Sequence, residues 1–201
     1  AAKVDFITST DTNHYPRLTV EGCTFTGSGN DGDVAIRLKS SHSVVIKDCT
    51  GTGLHSFLQN TSGWNLTIDN VTVTDSKSGL ALGTVQGVIV KGSNIVVPGY
   101  GIRLDANTYN NNATIEDVTI TSFIPVVVRN VNTNSTITFE GTNTLTADND
   151  YRYAVVVGET EYDFATPITE SIVIKAAWNI NTYTVTFDSN GGSDVDAETV
   201  E

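Results

Sequence analysis

Side chains able to do chemistry are few in this chain and widely spaced. Arg37 and Arg103 bracket Gln59 and Ala81 at steps of 22 residues, and Asp105 follows the second arginine by two. Carbohydrate cleavage would need clustered aspartates, or a basic residue beside a calcium ion; an arginine pair without facing carboxylates is not an acid–base dyad. His14, His42 and His55 are scattered in different registers, and no serine or cysteine nucleophile stands near a plausible base by repeat position. Asn30-Asp31-Gly32-Asp33 and Asp148-Asn149-Asp150 offer oxygen ligands for Ca²⁺, yet neither continues into a full calcium loop, and turn chemistry is the better account of them. No cofactor is called for beyond that candidate calcium. Tyr100 and Tyr109, with Tyr151 and Tyr153, carry aromatic faces suited to sugar or protein contacts.

What positions these residues is a repeat. The phrases Leu18-Thr-Val20-Glu-Gly-Cys23, Val44-Val-Ile46-Lys-Asp-Cys49, Leu66-Thr-Ile68-Asp-Asn-Val71, Val88-Ile-Val90-Lys-Gly-Ser93 and Ala113-Thr-Ile115-Glu-Asp-Val118 share one pattern, and Ile137-Thr-Phe139-Glu-Gly-Thr142 is a blurred sixth copy. Taking Val20, Ile46, Ile68, Val90, Ile115 and Ile137 as anchors, the steps are 26, 22, 22, 25 and 22 residues. A second apolar register, led by Ile36, Leu58, Leu80 and Ile102 and then by Val126 and Val155, keeps the same period. Within each phrase apolar and polar residues alternate, a charged or small dipeptide interrupts, and alternation resumes out of phase: strand, corner, strand.

A unit of 22 residues is too short for a strand–helix–strand crossover and cannot bury its own apolar stripe, so neighbouring units must stack at the strand spacing of about 4.8 Å. The expected fold is therefore all-β, a parallel β-helix of about six coils over residues 1–157, right-handed by the chirality rule for parallel crossovers. Leucine-rich repeats share the period, but no stretch here has helical periodicity. Insertions at 27–33 and 105–112, rich in Gly, Asn and Asp, read as side loops, where function commonly sits. Trp64, at a coil corner before Leu66, reads as packing. Cys23 and Cys49 fall at the same place in consecutive coils, within reach of a disulfide; a staple, a metal pair or two stacked apolar thiols all fit, and the last is expected.

Composition narrows the partners. The chain has 201 residues, 39% of them hydrophobic, and 23 acidic against 11 basic side chains give a net charge of −12. That balance repels phosphate backbones and anionic lipid heads, so neither nucleic acid nor membrane insertion is expected; cations and neutral sugars suit it better.

Outward threonines are the most regular surface feature: Thr24/Thr26, Thr50/Thr52, Thr72/Thr74 and Thr119/Thr121, with Asn94/Val96 interrupting and Thr144/Thr146 extending the series. Such Thr-x-Thr files resemble the faces of ice-binding β-solenoids, although threonine is also simply a good exposed strand residue. The coil architecture resembles the pectate-lyase-like superfamily, whose lyases and hydrolases act on polysaccharides. Farther on, Tyr162-Asp-Phe-Ala-Thr-Pro-Ile through Trp178 and then Tyr183-Thr-Val-Thr-Phe-Asp-Ser-Asn-Gly-Gly192 resemble the end and the beginning of the Listeria–Bacteroides, or internalin B-type, repeat of bacterial surface proteins. This resemblance implies an extracellular fragment of a secreted or wall-attached protein. Residues 158–178 would then be a repeat tail serving as a C-terminal cap, and 179–201 the start of a following repeat, extended or disordered. The expected role is a non-catalytic adhesin or stalk recognising glycan or a host or bacterial surface protein; the alternatives are a polysaccharide lyase or hydrolase fragment and an ice-binding solenoid.

Overall fold

A computed structural model describes residues 5–10, 15–105, 112–129, 136–148, 153–157, 183–185 and 198–200. Among these there is no helix. The chain winds as a parallel β-solenoid of about five turns, and each turn contributes a strand to three faces. The first face stacks β1 (Asp5–Ser9), β4 (Val34–Leu38), the first half of β7 (Ser56–Asp69), the first half of β9 (Ser78–Lys91), β11 (Tyr100–Asp105), β14 (Ile124–Arg129) and β17 (Val155–Val157). The second face stacks β2 (Arg17–Glu21), β5 (Ser43–Lys47), the second halves of β7 and β9, β12 (Asn112–Glu116) and β15 (Thr136–Glu140). The third face is a six-stranded ladder of β3 (Thr24–Thr26), β6 (Thr50–Thr52), β8 (Thr72–Thr74), β10 (Asn94–Val96), β13 (Thr119–Ser122) and β16 (Thr144–Ala147). Separately, β18 (Tyr183–Val185) pairs antiparallel with β19 (Glu198–Val200), so the ends of the 179–201 segment meet each other. The 158–178 cap lies outside the described residues.

The register follows the apolar anchors. Val20, Ile46, Ile68, Val90 and Ile115 stand opposite one another on the second face, and Ile36, Leu58, Leu80, Ile102, Val126 and Val155 on the first. One anchor is corrected: Phe139, not Ile137, faces Ile115, while Ile137 faces Ala113. Both residues are apolar and alternate in phase, so periodicity alone did not separate them, and the last step is 24 residues rather than 22.

Each corner between second and third faces carries one left-handed residue: Gly22, Asp48, Asn70, Gly92, Asp117 and Gly141, with φ of 63°, 52°, 50°, 55°, 50° and 66°. Glycine takes this conformation freely, and Asn and Asp tolerate it better than other residues, which explains the interrupting dipeptides. The corner keeps its backbone hydrogen-bonded, because the N–H groups of Gly22, Asp48, Asn70, Gly92 and Asp117 donate to the next coil, for example Asp48 to Asp69 O at 3.1 Å and Asn70 to Lys91 O at 3.1 Å.

The residue before each corner builds a charge ladder on the second face: Glu21, Lys47, Asp69, Lys91 and Glu116 alternate in sign from coil to coil, and the alternation stops at Glu140, which faces Glu116 with like charge. Lys47 Nζ lies 3.3 Å from Glu21 Oε1 and Lys91 Nζ 3.4 Å from Asp69 Oδ2. The Glu21 hydrogen bond, reinforced by Asp48, holds the Lys47 ammonium pKa above its usual value, and the hydrogen bond from Asn70 holds Asp48 below the ordinary carboxylate value. Exposed pairs of this kind add little stability. Their alternation instead penalises misalignment, since a strand displaced by one coil would set like charges opposite each other.

The interior is filled by size complementarity. On the third face the inward file runs Phe25, Gly51, Val73, Ile95, Ile120 and Leu145. Gly51 leaves the space that Phe57 occupies: a Cβ there would sit 2.5 Å from Phe57 Cδ2 and 2.9 Å from Leu54 Cδ1. Phe57 is fully buried and meets Phe25 edge-on at 5.9 Å. Gly51→Ala should therefore overpack this layer and lower unfolding free energy by about 1–3 kcal/mol in urea denaturation with an unchanged m-value. A neutral or stabilising effect would contradict this packing.

Candidate functional site

Stacking places the candidate residues on definite faces. Arg37, Gln59, Ala81 and Arg103 form one outward file on the first face, as their 22-residue spacing implied. Arg37 is thus three coils from Arg103, about 14 Å along the rod. Arg37 Nη1 donates to Gln59 Oε1 and its Nη2 to Gly32 O at 3.3 Å, tying the file to the 27–33 loop. Arg103 Nε lies 3.1 Å from Asp105 Oδ2, an ion-pair distance without hydrogen-bond alignment. Asp105 in turn faces Arg129 on the next coil. The structure therefore joins Arg103 to Asp105 but not to Arg37. Tyr100, half-buried, faces Ile124 at the start of the same strand pair. Tyr109 and Tyr151 lie outside the described residues, as do His14 and Asn149-Asp150.

The 27–33 loop is closed by its own carboxylates. Asp33 is fully buried, and its Oδ2 accepts hydrogen bonds from Ser28 N at 2.9 Å and Ser28 Oγ at 2.7 Å. Asp31 accepts a hydrogen bond from Lys77 Nζ, and His55 Nδ1 lies 3.7 Å away. The Lys77 ammonium, first by that hydrogen bond and then by its charge, holds the Asp31 carboxyl below its ordinary value. Two oxygens that would serve calcium already have partners, and among the described residues no group of three or more His, Cys, Asp or Glu is placed to hold a metal ion.

The third face carries the threonines in register. Thr24, Thr50, Thr72, Asn94, Thr119 and Thr144 form one file; Thr26, Thr52 and Thr74 begin the other, and Val96, Thr121 and Thr146 continue it. Strand geometry spaces rungs at about 4.8 Å and the two files at about 6.6 Å. Val96 is 43% exposed and interrupts the hydroxyls on the fourth rung.

One cluster was not anticipated. Trp64 does not pack into the core: it stands at the corner between first and second faces, 38% exposed, with Tyr15 44% exposed beside it. Their ring centroids are 4.8 Å apart in an edge-to-face arrangement, and the His42 ring lies 6.2 Å from Trp64. The corner is held by Trp64 N donating to Ser41 O at 3.1 Å and His42 N donating to Pro16 O at 3.0 Å. The available signal was positional, since Pro16, His42, Trp64 and Gln86 each stand two residues before the first apolar residue of a repeat phrase.

Cys23 and Cys49 are adjacent, with Thr50 N donating to Cys23 O at 2.9 Å, yet both are free thiols. Cys49 Sγ donates to Lys47 O at 3.1 Å and Cys23 Sγ to Glu21 O at 3.4 Å, each bonding back along its own strand. Burial pushes the Cys49 thiol pKa up, whereas Cys23, in the first described coil of this file, is only half-buried.

No protein-family model matches this chain, and no curated protein or solved structure is significantly similar to it. The class of protein is set by the fold alone: a parallel β-solenoid.

The two thiols give a test of this geometry. Iodoacetamide at pH 8 should alkylate Cys23 first and leave Cys49 unreacted until denaturant is added, read by mass spectrometry of the digest. Equal rates in the folded protein would contradict the burial of Cys49.

Proposed function

We propose that this solenoid is a non-catalytic binding module of a secreted or wall-attached bacterial surface protein, recognising glycan or a partner surface protein by contact over rigid faces. The observation that carries the reading is the third face: six aligned rungs present hydroxyls, one amide and one exposed valine on a continuous sheet, with no carboxylate among their outward residues. A surface of this kind offers many weak polar contacts without reorganising, which lowers the entropic cost of engaging an extended ligand. The charged groups of the first face support it further, because Arg37 is engaged with Gln59 and Gly32, and Arg103 with Asp105. The Tyr183–Gly192 phrase, with its resemblance to internalin B-type repeats, supports an extracellular setting.

The polysaccharide lyase or hydrolase alternative requires Arg37, Arg103 and Asp105 to act on one sugar, which the separation of three coils disfavours. A glycan array with the purified chain, run with calcium and with chelator and followed by a reducing-end assay, should show binding without release of reducing ends. Cleavage would overturn the non-catalytic reading, and loss of binding in chelator would assign calcium a role.

A second reading is favoured by one specific feature, the two threonine files in register. If they order water as an ice-binding face does, the protein should show thermal hysteresis that Thr72→Tyr abolishes. Freezing behaviour identical to a control protein at equal concentration would remove this reading.

A further inference from the structure

We propose that the corner formed by Tyr15, His42 and Trp64 is a saccharide-binding platform on which a pyranose ring stacks. The inference rests on the glycan part of the proposed function and gives it a site.

Three ring-bearing residues occupy consecutive coils at one corner. His42 follows Pro16 in the backbone ladder, and Ser41 bridges to Gly63, which sets His42 beside Trp64; Trp64 then faces Gln86 on the next coil. Tyr15 reaches past the His42 coil to meet Trp64 edge-on at 4.8 Å, so the rings make one aromatic patch about the size of a sugar ring, with His42 6.2 Å from Trp64 at its margin. Aromatic faces carry partial negative charge, and the axial C–H groups of a pyranose present the matching positive edge. Hydroxyl and amide residues flank the corner along the chain and in register: Ser43 and Asn65 toward the second face, Thr61 toward the first, and Gln86 opposite Trp64 on the next coil.

The corner also lacks carboxylates, in contrast to the second face with its ladder of Glu, Asp and Lys. The segments 15–17, 39–43, 61–65 and 83–87, which build it, contain no Asp or Glu although the chain has 23. They do contain Arg17 and Lys39, both exposed. An acidic protein that clears carboxylates from one corner and leaves rings, amides and two cations there is suited to sugars, neutral or carboxylated.

Size separates a saccharide from a protein partner. A tyrosine or tryptophan presents about 150–250 Å² in total, so two rings roughly 40% exposed offer on the order of 150 Å². A protein partner requires about 800 Å² on each side. Among the described residues, the other large exposed apolar ones are Phe6, Ile89, Val96 and Phe123. Ile89 and Val96 point outward from the second and third faces, and none of the four belongs to the corner segments. A sugar ring matches the platform; a protein surface does not.

The test is titration of the full chain with a neutral hexasaccharide and a uronate-containing hexasaccharide, each drawn from the glycans it binds, by calorimetry and by tryptophan fluorescence. Trp64→Ala and Tyr15→Ser should each weaken binding at least tenfold, while Trp64→Phe retains most of it. Tyr15 precedes the first strand of the second face and lies outside the buried core, so Tyr15→Ser keeps the test valid even where Trp64→Ala unfolds. Tighter binding of the uronate, lost in Lys39→Ala or Arg17→Ala, would identify carboxylated sugars; equal binding of both would identify neutral ones. Unchanged affinity in Tyr15→Ser and in a folded Trp64→Ala would overturn the platform while leaving the surface-module reading intact. Failure of the wild-type chain to bind any glycan would overturn both the platform and the glycan part of that reading.

Discussion

The backbone ladder between successive coils is the interaction on which everything else depends. A single 22-residue turn has no strand ladder of its own and buries no apolar face, so its strand N–H and C=O groups and its Val, Ile and Leu side chains are satisfied by the turns above and below. That requirement makes the apolar positions recur at one place per face and drives the central anchors, such as Ile46, Ile68 and Val90, to full burial. It also makes alignment the sensitive variable. The left-handed corner residues fix where each strand ends, the alternating Glu21, Lys47, Asp69, Lys91 and Glu116 discourage a slip of one coil, and Gly51 making room for Phe57, which in turn meets Phe25 of an earlier coil, shows that the interior is filled by fitted shapes.

Much of this was legible in the amino-acid order because parallel stacking writes itself as a period. The anchors from Val20 to Ile115, the Ile36 to Val155 register, the corner dipeptides and the threonine files all stand where alternation and spacing put them. Reading weakened where the period alone had to choose between equivalent residues. Ile137 and Phe139 are both apolar and in phase, and only their partners across the ladder identify Phe139 as the anchor. The charge ladder was visible member by member, but its meaning lies between coils, where cross-strand neighbours become salt-bridge partners.

The aromatic corner was missed for a related reason. Tyr15 precedes the first repeat phrase, and Trp64 sits before an apolar residue where packing is the ordinary role. Their edge-to-face contact depends on how two coils register and on the bend of β7 at the corner, with Gly63 at φ 155° and Asn65 at φ 55°. Local pattern carries no information about that juxtaposition. The same distinction applies to Arg37 and Arg103: equal repeat positions suggested a common site, but equal position in a solenoid means the same file on one face, with distance growing by one strand spacing per coil. A rod of this construction favours ligands that are themselves extended, since its repeated features are spread along an axis rather than gathered in a pocket.

The central claim is that consecutive turns stack in parallel and in the stated register. Nuclear Overhauser contacts in a perdeuterated, amide-protonated sample test it most directly. The account predicts contacts between the third-face strands around Thr50, Thr72, Asn94 and Thr119, linking residues 22 or 25 apart in sequence and all running in the parallel sense. Antiparallel contacts, or a parallel pattern displaced by one or two residues, would contradict it and with it the placement of every face described above.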